Sequence, residues 1–214
     1  MLDVFLKGLG VGLAIAAPVG PIGLLCIRRS LTEGRTAGLA TGLGAAAADG
    51  TYGLLVAAGF TATGLLTQYA PQMQLFGGVL IAWLGLMTLR GFLKRDRGAA
   101  GAAGPAAGSV AGAFGTTYLL TLSNPTTILA FAGMVAGLGA AASGQGNAAY
   151  VLVLGVFFGS ALWWLFLVHA ALWAKSRIAT TTLRWLDLFA GSVLMAWGVS
   201  LAIGALRGGA IWHW

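Results

Sequence analysis

Apolar residues run almost without interruption along this chain, and charged residues gather in a few short stretches. Between Arg97 and Lys175, for example, no residue carries a charge. Uncharged apolar stretches of about 18 residues or more are typical of membrane-spanning helices, whereas the strands of membrane barrels alternate apolar and polar positions. The pattern therefore predicts an all-α membrane protein with six spans. The spans cover residues 4–27, 37–60, 73–93, 111–139, 148–173 and 183–206.

Two of the six spans contain prolines where a straight helix cannot continue. The first break is the segment Ala17–Pro21 in span 1, and the second is Ser123–Thr127 in span 4. Proline lacks the backbone N–H and clashes with the preceding turn, so both helices must kink or unwind there. Unwound backbone in a membrane is tolerated only where protein or a water-filled cavity satisfies it. Paired breaks at similar places in two halves of a chain point to the binding site of a transporter.

The basic residues predict which side of the membrane each connection faces. Of the 12 lysines and arginines, 10 fall in the stretches that follow spans 1, 3 and 5, and the connections after spans 2 and 4 carry no charge. Because cytoplasmic loops carry an excess of Lys and Arg, the basic connections are predicted to be cytoplasmic and both termini to lie outside. The basic stretches contain Arg28, Arg29 and Arg35; Arg90, Lys94, Arg95 and Arg97; and Lys175, Arg177 and Arg184.

Residues 94–110 are rich in glycine and alanine, which suits a flexible cytoplasmic linker between two halves of a single membrane domain, 1–214. Residues 1–93 and 111–214 then contain three spans each. Because three is an odd number, span 1 and span 4 cross the membrane in opposite directions. The halves are therefore predicted to be inverted three-helix repeats, an arrangement that places a substrate site near the midplane between them.

Glycines recur at intervals of four residues, as in Gly34, Gly38 and Gly42 and again in Gly155 and Gly159. This spacing lines one helix face with small residues and allows neighbouring helices to approach closely. The pattern predicts close helix packing. A smooth surface on which one half slides past the other during transport is the alternative.

The composition excludes several classes of function. The chain has 214 residues, of which 58% are hydrophobic and only 8% charged, and the basic connections account for its net charge of +7, so no nucleic-acid role is expected. The single cysteine, Cys26, excludes an internal disulfide, a redox pair and a cysteine zinc site. No metal site, cofactor or enzyme activity is predicted, because the sequence lacks a nucleotide loop, a nucleophile triad and a zinc signature. The first apolar run is predicted to be a retained span rather than a signal peptide.

Asp49 is the foremost candidate for a functional residue because it lies in the middle of span 2. A charge at the bilayer centre costs roughly 2.5–3.5 kcal/mol on insertion scales and is expected to face the protein interior. No basic residue shares its depth, so the carboxylate needs a proton, a cation, a backbone donor or a bound ammonium group. Tyr52, one turn along the same face, is a candidate hydrogen-bond partner. An aspartate that only joins helices is the structural alternative.

The two breaks supply groups of the opposite polarity. A half-helix that follows a break begins with exposed N–H groups and a partial positive charge, which attract a carboxylate. A zwitterion would place its carboxylate at these half-helix ends and its ammonium group at Asp49, which would also couple transport to protons. Proline kinks that only shape the bundle are the alternative. The predicted substrate site consists of Pro18, Gly20, Pro21, Asp49, Tyr52, Ser123, Asn124, Pro125, Thr126 and Thr127.

Other residues have weaker claims to a role. His169, near the end of span 5, is expected to be packed or interfacial rather than a titrating switch. Trp163 and Trp164 lie deeper in the same span, and packing is favoured for them over the gating of a cavity. Arg184 and Asp187 are spaced i, i+3 at a helix start, which predicts a local ion pair.

The same residues carry a resemblance to a known family. The segment Ala17–Pro21, followed by Arg28–Leu31 and Gly34–Gly38, resembles the first conserved region of the LysE-type (LysE/RhtB) amino-acid exporters, and residues 42–52 continue it. Leu122–Thr126 resembles the Asn-Pro motif that this family carries in span 4. The similarity covers nearly the whole chain.

The resemblance implies a six-span exporter of amino acids or related small molecules, driven by the proton gradient, in the cytoplasmic (inner) membrane of a prokaryote. Many members of the family carry a compact Pro-Gly-Pro in span 1, whereas here Val19 separates Pro18 from Gly20. This departure indicates a different branch, so the substrates of the lysine, threonine and homoserine exporters are not transferred to this chain.

The sequence therefore predicts a secondary transporter that exports amino acids or related small zwitterionic or cationic metabolites by proton antiport. Its partners would be the substrate, protons and the lipid bilayer, and the sequence leaves a homodimer open. The nearest alternative is an exporter of inorganic cations such as metal ions. A thiol-redox enzyme that uses Cys26 and a scaffolding protein are the alternatives from other classes.

Overall fold

A computed structural model of the chain describes residues 1–18, 20–57, 70–96, 109–124, 127, 131, 146–175 and 180–207. All the regular structure in these residues is helical, as the apolar pattern predicts. The seven described helices are α1 (Leu2–Ala16), α2 (Pro21–Thr32), α3 (Arg35–Ala57), α4 (Ala70–Asp96), α5 (Val110–Leu122), α6 (Gly146–Lys175) and α7 (Thr180–Leu206).

Three of the described helices are long and apolar enough to cross a membrane, namely α4 over Pro71–Arg90, α6 over Ala148–Lys175 and α7 over Trp185–Leu206. The pair α1 and α2 would make a fourth span if it is counted as one broken helix, and α5 is a shorter apolar helix. These helices confirm a multi-pass membrane protein. The ends of predicted spans 2 and 4 and the predicted linker lie mostly outside the described residues.

The predicted break in span 1 separates α1 from α2, and the two helices are bent by 83° relative to each other. Gly20 precedes α2 in an extended conformation, with φ −94° and ψ −162°, as expected for a residue before proline. Pro21 opens α2, where its missing N–H costs nothing because the first N–H groups of a helix have no partner within the helix. The sequence prediction of this break is thus confirmed.

The connection between α2 and α3 is shorter than the charge pattern predicts. Arg28 and Arg29 were expected in a cytoplasmic loop, but both lie inside α2 and are only 2% exposed. The helix ends at Thr32, and Gly34 adopts a φ of +95°, which only glycine tolerates readily. The N–H of Gly34 donates to the carbonyl of Arg29, which closes the end of α2. The predictions of two loop arginines, and of Gly34 on a helix face, are therefore wrong.

The main helix pairs fall into two kinds by direction. α1 packs along α6 and α3 packs along α5, each pair parallel, since contacts advance together along both helices. α3 also packs on α6 and α4 packs on α7, and these two pairs are antiparallel. The helices α3 and α6 thus form the centre of the described bundle, with α1 and α5 on either side.

Glycine allows several of these pairs to approach to backbone contact. A Cβ added to Gly12 in α1 would lie 2.9 Å from the backbone nitrogen of Ser160, and one added to Gly155 in α6 would lie 2.9 Å from the Cα of Gly8. Such distances leave no room for a side chain at either glycine, because the backbone of the facing helix already fills the space. The close packing predicted from the glycine spacing is confirmed at these positions.

Helix α2 lies across the N-terminal ends of other helices. It contacts α3, α5, α6 and α7. Its arginines reach Thr41 near the start of α3, Ala113 near the start of α5 and Asp187 in the early turns of α7. Because α3, α5 and α7 all begin close to α2, this helix covers one end of the bundle.

Candidate functional site

Asp49 lies at the crossing of the two central helices. Its side chain in α3 is 3% exposed, and its Oδ2 accepts a hydrogen bond of 2.6 Å from the hydroxyl of Ser160 in α6. Among the described residues, the hydroxyl of Ser160 is the one hydrogen-bond partner of this carboxylate. The carboxylate thus faces the interior, as expected for an acid within a span. Its partner is a neutral hydroxyl, which leaves the charge to be balanced by a proton or by a bound cation.

Tyr52 lies one turn further along α3 and is also buried. Its hydroxyl does not bond to Asp49 but donates to the carbonyl of Leu122, the last residue of α5. The ring of Tyr52 stacks on Phe131, with centroids 5.4 Å apart. The predicted Asp49–Tyr52 hydrogen bond is therefore wrong. Tyr52 instead attaches α3 to the residue at which the second break begins.

The second break follows directly on that contact. Ser123 ends α5 and is buried, and Asn124 next to it is half-buried. The N–H of Thr127, a buried residue, donates to the carbonyl of Asn124 at 3.1 Å. Pro125 and Thr126, which were also predicted to belong to the site, lie outside the described residues. The described part of this break thus adjoins the helical turn that carries Tyr52.

The first break lies against the same part of the bundle. Ala16 at the end of α1 and Ile22 in the first turn of α2 belong to one apolar cluster with Ala46 and Ala161. Ala46 is one turn from Asp49, and Ala161 follows Ser160. The break therefore packs beside the helical turns that hold the carboxylate and its partner.

The residues of the first break differ in exposure. Pro18 and Gly20 are exposed, whereas Pro21 is buried. A Cβ added to Gly20 would meet no atom within 4 Å, so there is open space at the start of α2. Among the described residues, no side chain caps the first N–H groups of this helix. These groups can thus receive an anion, as half-helix ends do in transporters.

A second polar cluster surrounds Arg29 at the end of the bundle that α2 covers. Its Nη1 donates to the hydroxyls of Thr41 and Thr117 at 3.2 Å each and to the carbonyl of Ala113 at 3.1 Å. Its Nη2 donates to the hydroxyl of Thr116 at 3.2 Å. The guanidinium therefore joins α2 to α3 in the first half of the chain and to α5 in the second half.

The neighbouring Arg28 forms ion pairs instead. Its Nε donates to Oδ1 of Asp187 in α7 at 2.7 Å, and its Nη1 lies 3.8 Å from Oε1 of Glu33. Both side chains of the Arg28–Asp187 pair are nearly inaccessible to solvent. The sequence predicts a pair between Asp187 and Arg184, whose side chain lies outside the described part of the chain.

The residues with weaker claims to a role lie in packed or intrahelical contacts. Nδ1 of His169, an exposed residue, is 2.7 Å from the carbonyl of Leu165 in its own helix. Trp164 is buried in the cluster around Ala161, and Trp163 packs on its edge, which agrees with packing roles. Cys26 is fully buried, with its sulfur 3.7 Å from the carbonyl of Gly38.

Ser160 and Arg29 are the important residues that the sequence did not reveal. Ser160 is a small residue in an apolar run, where it is easily taken for part of the glycine-rich packing face. The available signal was its place in the second half, since it lies one residue after Gly159 just as Asp49 lies one residue after the small Ala48. Arg29 has the pattern of a topology signal in the sequence, because two adjacent arginines end the apolar run of span 1.

Comparisons with known proteins agree with this arrangement. The sequence model that describes the LysE type translocators matches residues 13–205. The protein YcgF of Bacillus subtilis (strain 168), named as an inferred amino acid efflux protein, is 26% identical over 204 residues, which cover 92% of this chain and 94% of that protein. The chemotactic transduction protein ChpE of Pseudomonas aeruginosa (strain PAO1) is 31% identical over 214 residues, which cover 97% of this chain and 100% of ChpE. No solved structure matches the chain. The chain therefore belongs to the LysE type translocators, a family of transporters.

Proposed function

We propose that this protein is a secondary transporter that exports amino acids, or related small zwitterionic or cationic metabolites, in exchange for protons. The observation that carries the proposal is the buried carboxylate of Asp49, which has a hydroxyl as its hydrogen-bond partner at the crossing of α3 and α6. A buried charge without an opposite charge is costly, so the site gains from a proton or an ammonium group. Membership of the translocator family and the name of YcgF support an exported amino acid.

The exchange uses Asp49 in two states. With the site open to the outside, the carboxylate takes up a proton. After the protein opens to the cytoplasm, the proton leaves and the ammonium group of the substrate takes its place. The substrate is then carried outward and released when the next proton binds. The same carboxylate thus binds the proton and the substrate in turn, so outward movement of the substrate is coupled to inward movement of a proton.

The two breaks would supply the rest of the site. The first turn of α2, behind Pro18, Gly20 and Pro21, offers N–H groups to the substrate carboxylate. Ser123 and Asn124, which follow α5, would add side-chain donors and acceptors together with Thr126 and Thr127, and Pro125 would interrupt the helix. Both breaks would also serve as hinges, since an interrupted helix can bend without losing further hydrogen bonds.

The helix pairs support an inverted repeat as the frame for this movement. If a two-fold operation exchanges spans 1, 2 and 3 with spans 4, 5 and 6, the pair α1–α6 becomes the pair α5–α3, and both are parallel. The same operation exchanges α3 with α6 and α4 with α7, so each of these two pairs is unchanged, and both pairs are antiparallel. The four largest helix contacts thus have the relation that an inverted repeat requires.

Close glycine contacts have the same relation. In the α3–α5 pair, a Cβ on Gly44 would meet the backbone carbonyl of Phe114, and in the α1–α6 pair, a Cβ on Gly155 would meet the backbone carbonyl of Phe5. Exchange of the halves turns one contact into the other. Equivalent close approaches in both halves are expected when one packing arrangement is used twice.

The α4–α7 pair shows a reciprocal pattern. A Cβ on Gly78 would lie 2.8 Å from the carbonyl oxygen of Gly198, and one on Gly85 would lie 2.9 Å from that of Gly191. Gly78 and Gly85 are separated by two turns of α4, and Gly191 and Gly198 by two turns of α7. Exchange of the two helices reproduces both contacts, which again supports a two-fold relation.

The proposed place of the protein is the cytoplasmic membrane of a prokaryote, with the basic connections inside and both termini outside. Arg28 and Arg29 lie in the interior of α2, and the other eight basic residues lie near the helix ends at those connections or between them, where they still outnumber Lys7 and Arg207. The covered end of the bundle, where α2 lies, would then face the cytoplasm.

A reconstitution experiment separates the amino-acid proposal from export of inorganic cations. Purified protein in proteoliposomes is loaded in turn with the twenty amino acids and with divalent metal ions, and efflux is measured with and without a pH gradient. We expect efflux of one or more amino acids that is accelerated when the outside is acidic. Efflux of metal ions, with no amino acid released faster than from empty-membrane controls, would reverse the assignment.

A further inference from the structure

Arg29 is a buried cation whose hydrogen-bond partners among the described residues are neutral groups. Its side chain is 2% exposed, and its four hydrogen bonds go to three threonine hydroxyls and one backbone carbonyl. Among the described residues it forms no ion pair with a carboxylate. Removal of a guanidinium from water is expensive unless an opposite charge compensates for it. The position therefore favours an anion.

The hydrogen bonds around Arg29 do not satisfy it fully. Its Nε is buried and has no hydrogen-bond partner among the residues that the structure describes. The hydroxyls of Thr41, Thr116 and Thr117 donate to carbonyls of their own helices, so they offer only lone pairs to the guanidinium. Hydrogen bonds between two charged groups are roughly twice as strong as those to neutral acceptors. A carboxylate in place of one or two of these hydroxyls would accept hydrogen bonds from the guanidinium N–H groups. These bonds would be stronger than those that the hydroxyls accept.

The contrast with Arg28 shows that the arrangement is selective. The carboxylates of Asp187 and Glu33 lie 2.7 and 3.8 Å from nitrogen atoms of Arg28, and Glu33 also interacts with Arg29, at longer range. Both arginines belong to the same turn of α2, yet among the described residues only Arg28 lies within 4 Å of a carboxylate oxygen. Arg29, whose hydrogen-bond partners are all neutral, is the one that joins the two halves of the chain.

We propose that Arg29 binds the carboxylate of the exported molecule as it enters from the cytoplasmic end, which assigns carboxylate-bearing compounds as the substrate class. The inference rests on the proposed export function and adds a residue to its site. The bend between α1 and α2 lets α2 move away from the starts of α3 and α5, which exposes Arg29 to the entering substrate. The carboxylate of the substrate then accepts hydrogen bonds from the guanidinium in place of the threonine hydroxyls.

Arg29 and Asp49 serve successive stages rather than one bound state. Thr41, which accepts a hydrogen bond from Arg29, and Asp49 are two turns apart on α3, about 12 Å along the helix at 1.5 Å per residue. An α-amino acid carries its ammonium and carboxylate groups on one carbon and cannot reach both residues. Arg29 would hold the substrate at the entrance, and Asp49 would take its ammonium group further in, where the half-helix ends receive the carboxylate.

The test compares each amino acid with its amide, which lacks only the negative charge. Thermal stabilisation of the purified full-length protein is titrated with the twenty L-amino acids and with the corresponding α-amides. For the amino acids that stabilise the wild type, we expect the amide to bind at least about tenfold more weakly, as for loss of a hydrogen-bonded charge. In Arg29→Gln the preference for the acid should shrink, and the remainder is due to the half-helix ends that also receive the carboxylate. Arg29→Lys should retain more of the preference. Arg35→Gln, which changes an exposed arginine at the start of α3, is the matched control and should keep the full preference.

The outcomes separate the two levels of the proposal. Equal binding of acid and amide by the wild type would overturn the role of Arg29 while leaving export intact, and this result does not depend on whether the variants fold. An undiminished preference in Arg29→Gln would overturn it as well. Stabilisation by divalent metal ions and by no amino acid would refute the export function itself, together with the inference that rests on it.

Discussion

The two buried charges of this protein, Asp49 and Arg29, have very different surroundings. The carboxylate lies at the crossing of the central helices and has one hydrogen bond among the described residues, from Ser160. The guanidinium lies where α2 covers the end of the bundle and donates four hydrogen bonds to α3 and α5. A charge with one neutral partner can exchange that partner for a proton or an ammonium group. A charge with many contacts also holds helices together, and the helices must move before it is released.

The comparison separates the chemistry of transport from its mechanics. The Asp49 region provides the exchangeable charge, and the region around Arg28 and Arg29 attaches α2 to the starts of three helices. The two should therefore respond differently to substitution. Changes at Asp49 are expected to alter activity without altering the fold, whereas changes at the arginine cluster are expected to alter stability and, at Arg29, the binding of substrate as well.

The largest effect is expected from Asp49→Asn. The substitution keeps the size of the side chain and its contact with Ser160 but removes the exchangeable charge. Proton-driven efflux of amino acids from proteoliposomes should fall at least about a hundredfold, the smallest loss typical when an essential proton-transfer group is removed. The melting temperature in detergent should not fall, because no buried ion pair is broken. Asp3→Asn, at an exposed acid in the first turn of α1, is the control and should leave efflux unchanged.

Full coupled efflux from Asp49→Asn would show that the carboxylate only joins helices. Asp49 would then be a structural charge like Arg28, and the difference between the two regions would be contradicted.

The next effect concerns the ion pair that attaches α2 to α7. Asp187→Asn removes the negative charge that lies 2.7 Å from the Nε of the buried Arg28 and should destabilise the protein by about 3 kcal/mol, as for other broken buried pairs. The measurement is unfolding in denaturant or by heat in a fixed detergent. The double variant Arg28→Met with Asp187→Leu should recover much of the loss, because the buried guanidinium is removed together with Asp187. A loss of less than about 0.5 kcal/mol in Asp187→Asn would mean that α2 is held mainly by other contacts.

A smaller effect is expected where α1 meets α6 beside Ser160. Gly12→Ala places a methyl group 2.8 Å from the carbonyl carbon of Val156 and should destabilise the protein by about 1–3 kcal/mol through overpacking. Gly10→Ala on the same helix meets no atom within 4 Å, so it is a matched control for the change in backbone freedom. Equal unfolding free energies for the two variants would contradict the close approach of α1 to α6.

The smallest effect is expected from Tyr52→Phe. The variant removes the hydrogen bond to the carbonyl of Leu122 and keeps the stacking on Phe131. Stability should fall by about 1 kcal/mol, the usual net value of such a bond, with efflux reduced less than in Asp49→Asn. If Tyr52→Phe abolished coupling as completely as Asp49→Asn, the hydroxyl would be part of the proton path and not a tether between α3 and the second break.

The features that the sequence could predict have local causes. A proline stops a helix wherever it stands, so the end of α1 at Ala16 and the start of α2 at Pro21 follow from the sequence alone. A carboxylate within an apolar stretch must face the interior, so the burial of Asp49 was also predictable.

The partners of these residues could not be predicted because they come from distant parts of the chain. Ser160 is separated from Asp49 by 111 positions, and Leu122 from Tyr52 by 70. The charge pattern also gave a wrong picture of Arg28 and Arg29. Adjacent arginines at the end of an apolar run are typical of loops, but here acceptors on α3, α5 and α7 allow them to be buried within a helix.

The most direct test of the central claim is the movement of protons that accompanies the substrate. Proteoliposomes that contain the wild-type protein and an internal pH dye are loaded with a mixture of the twenty amino acids and diluted into buffer without them. The account predicts that amino acids leaving the vesicles bring protons inward, so that the interior becomes acidic, and that Asp49→Asn vesicles show no such change. Amino-acid efflux from the wild type with no change of internal pH would contradict exchange through Asp49.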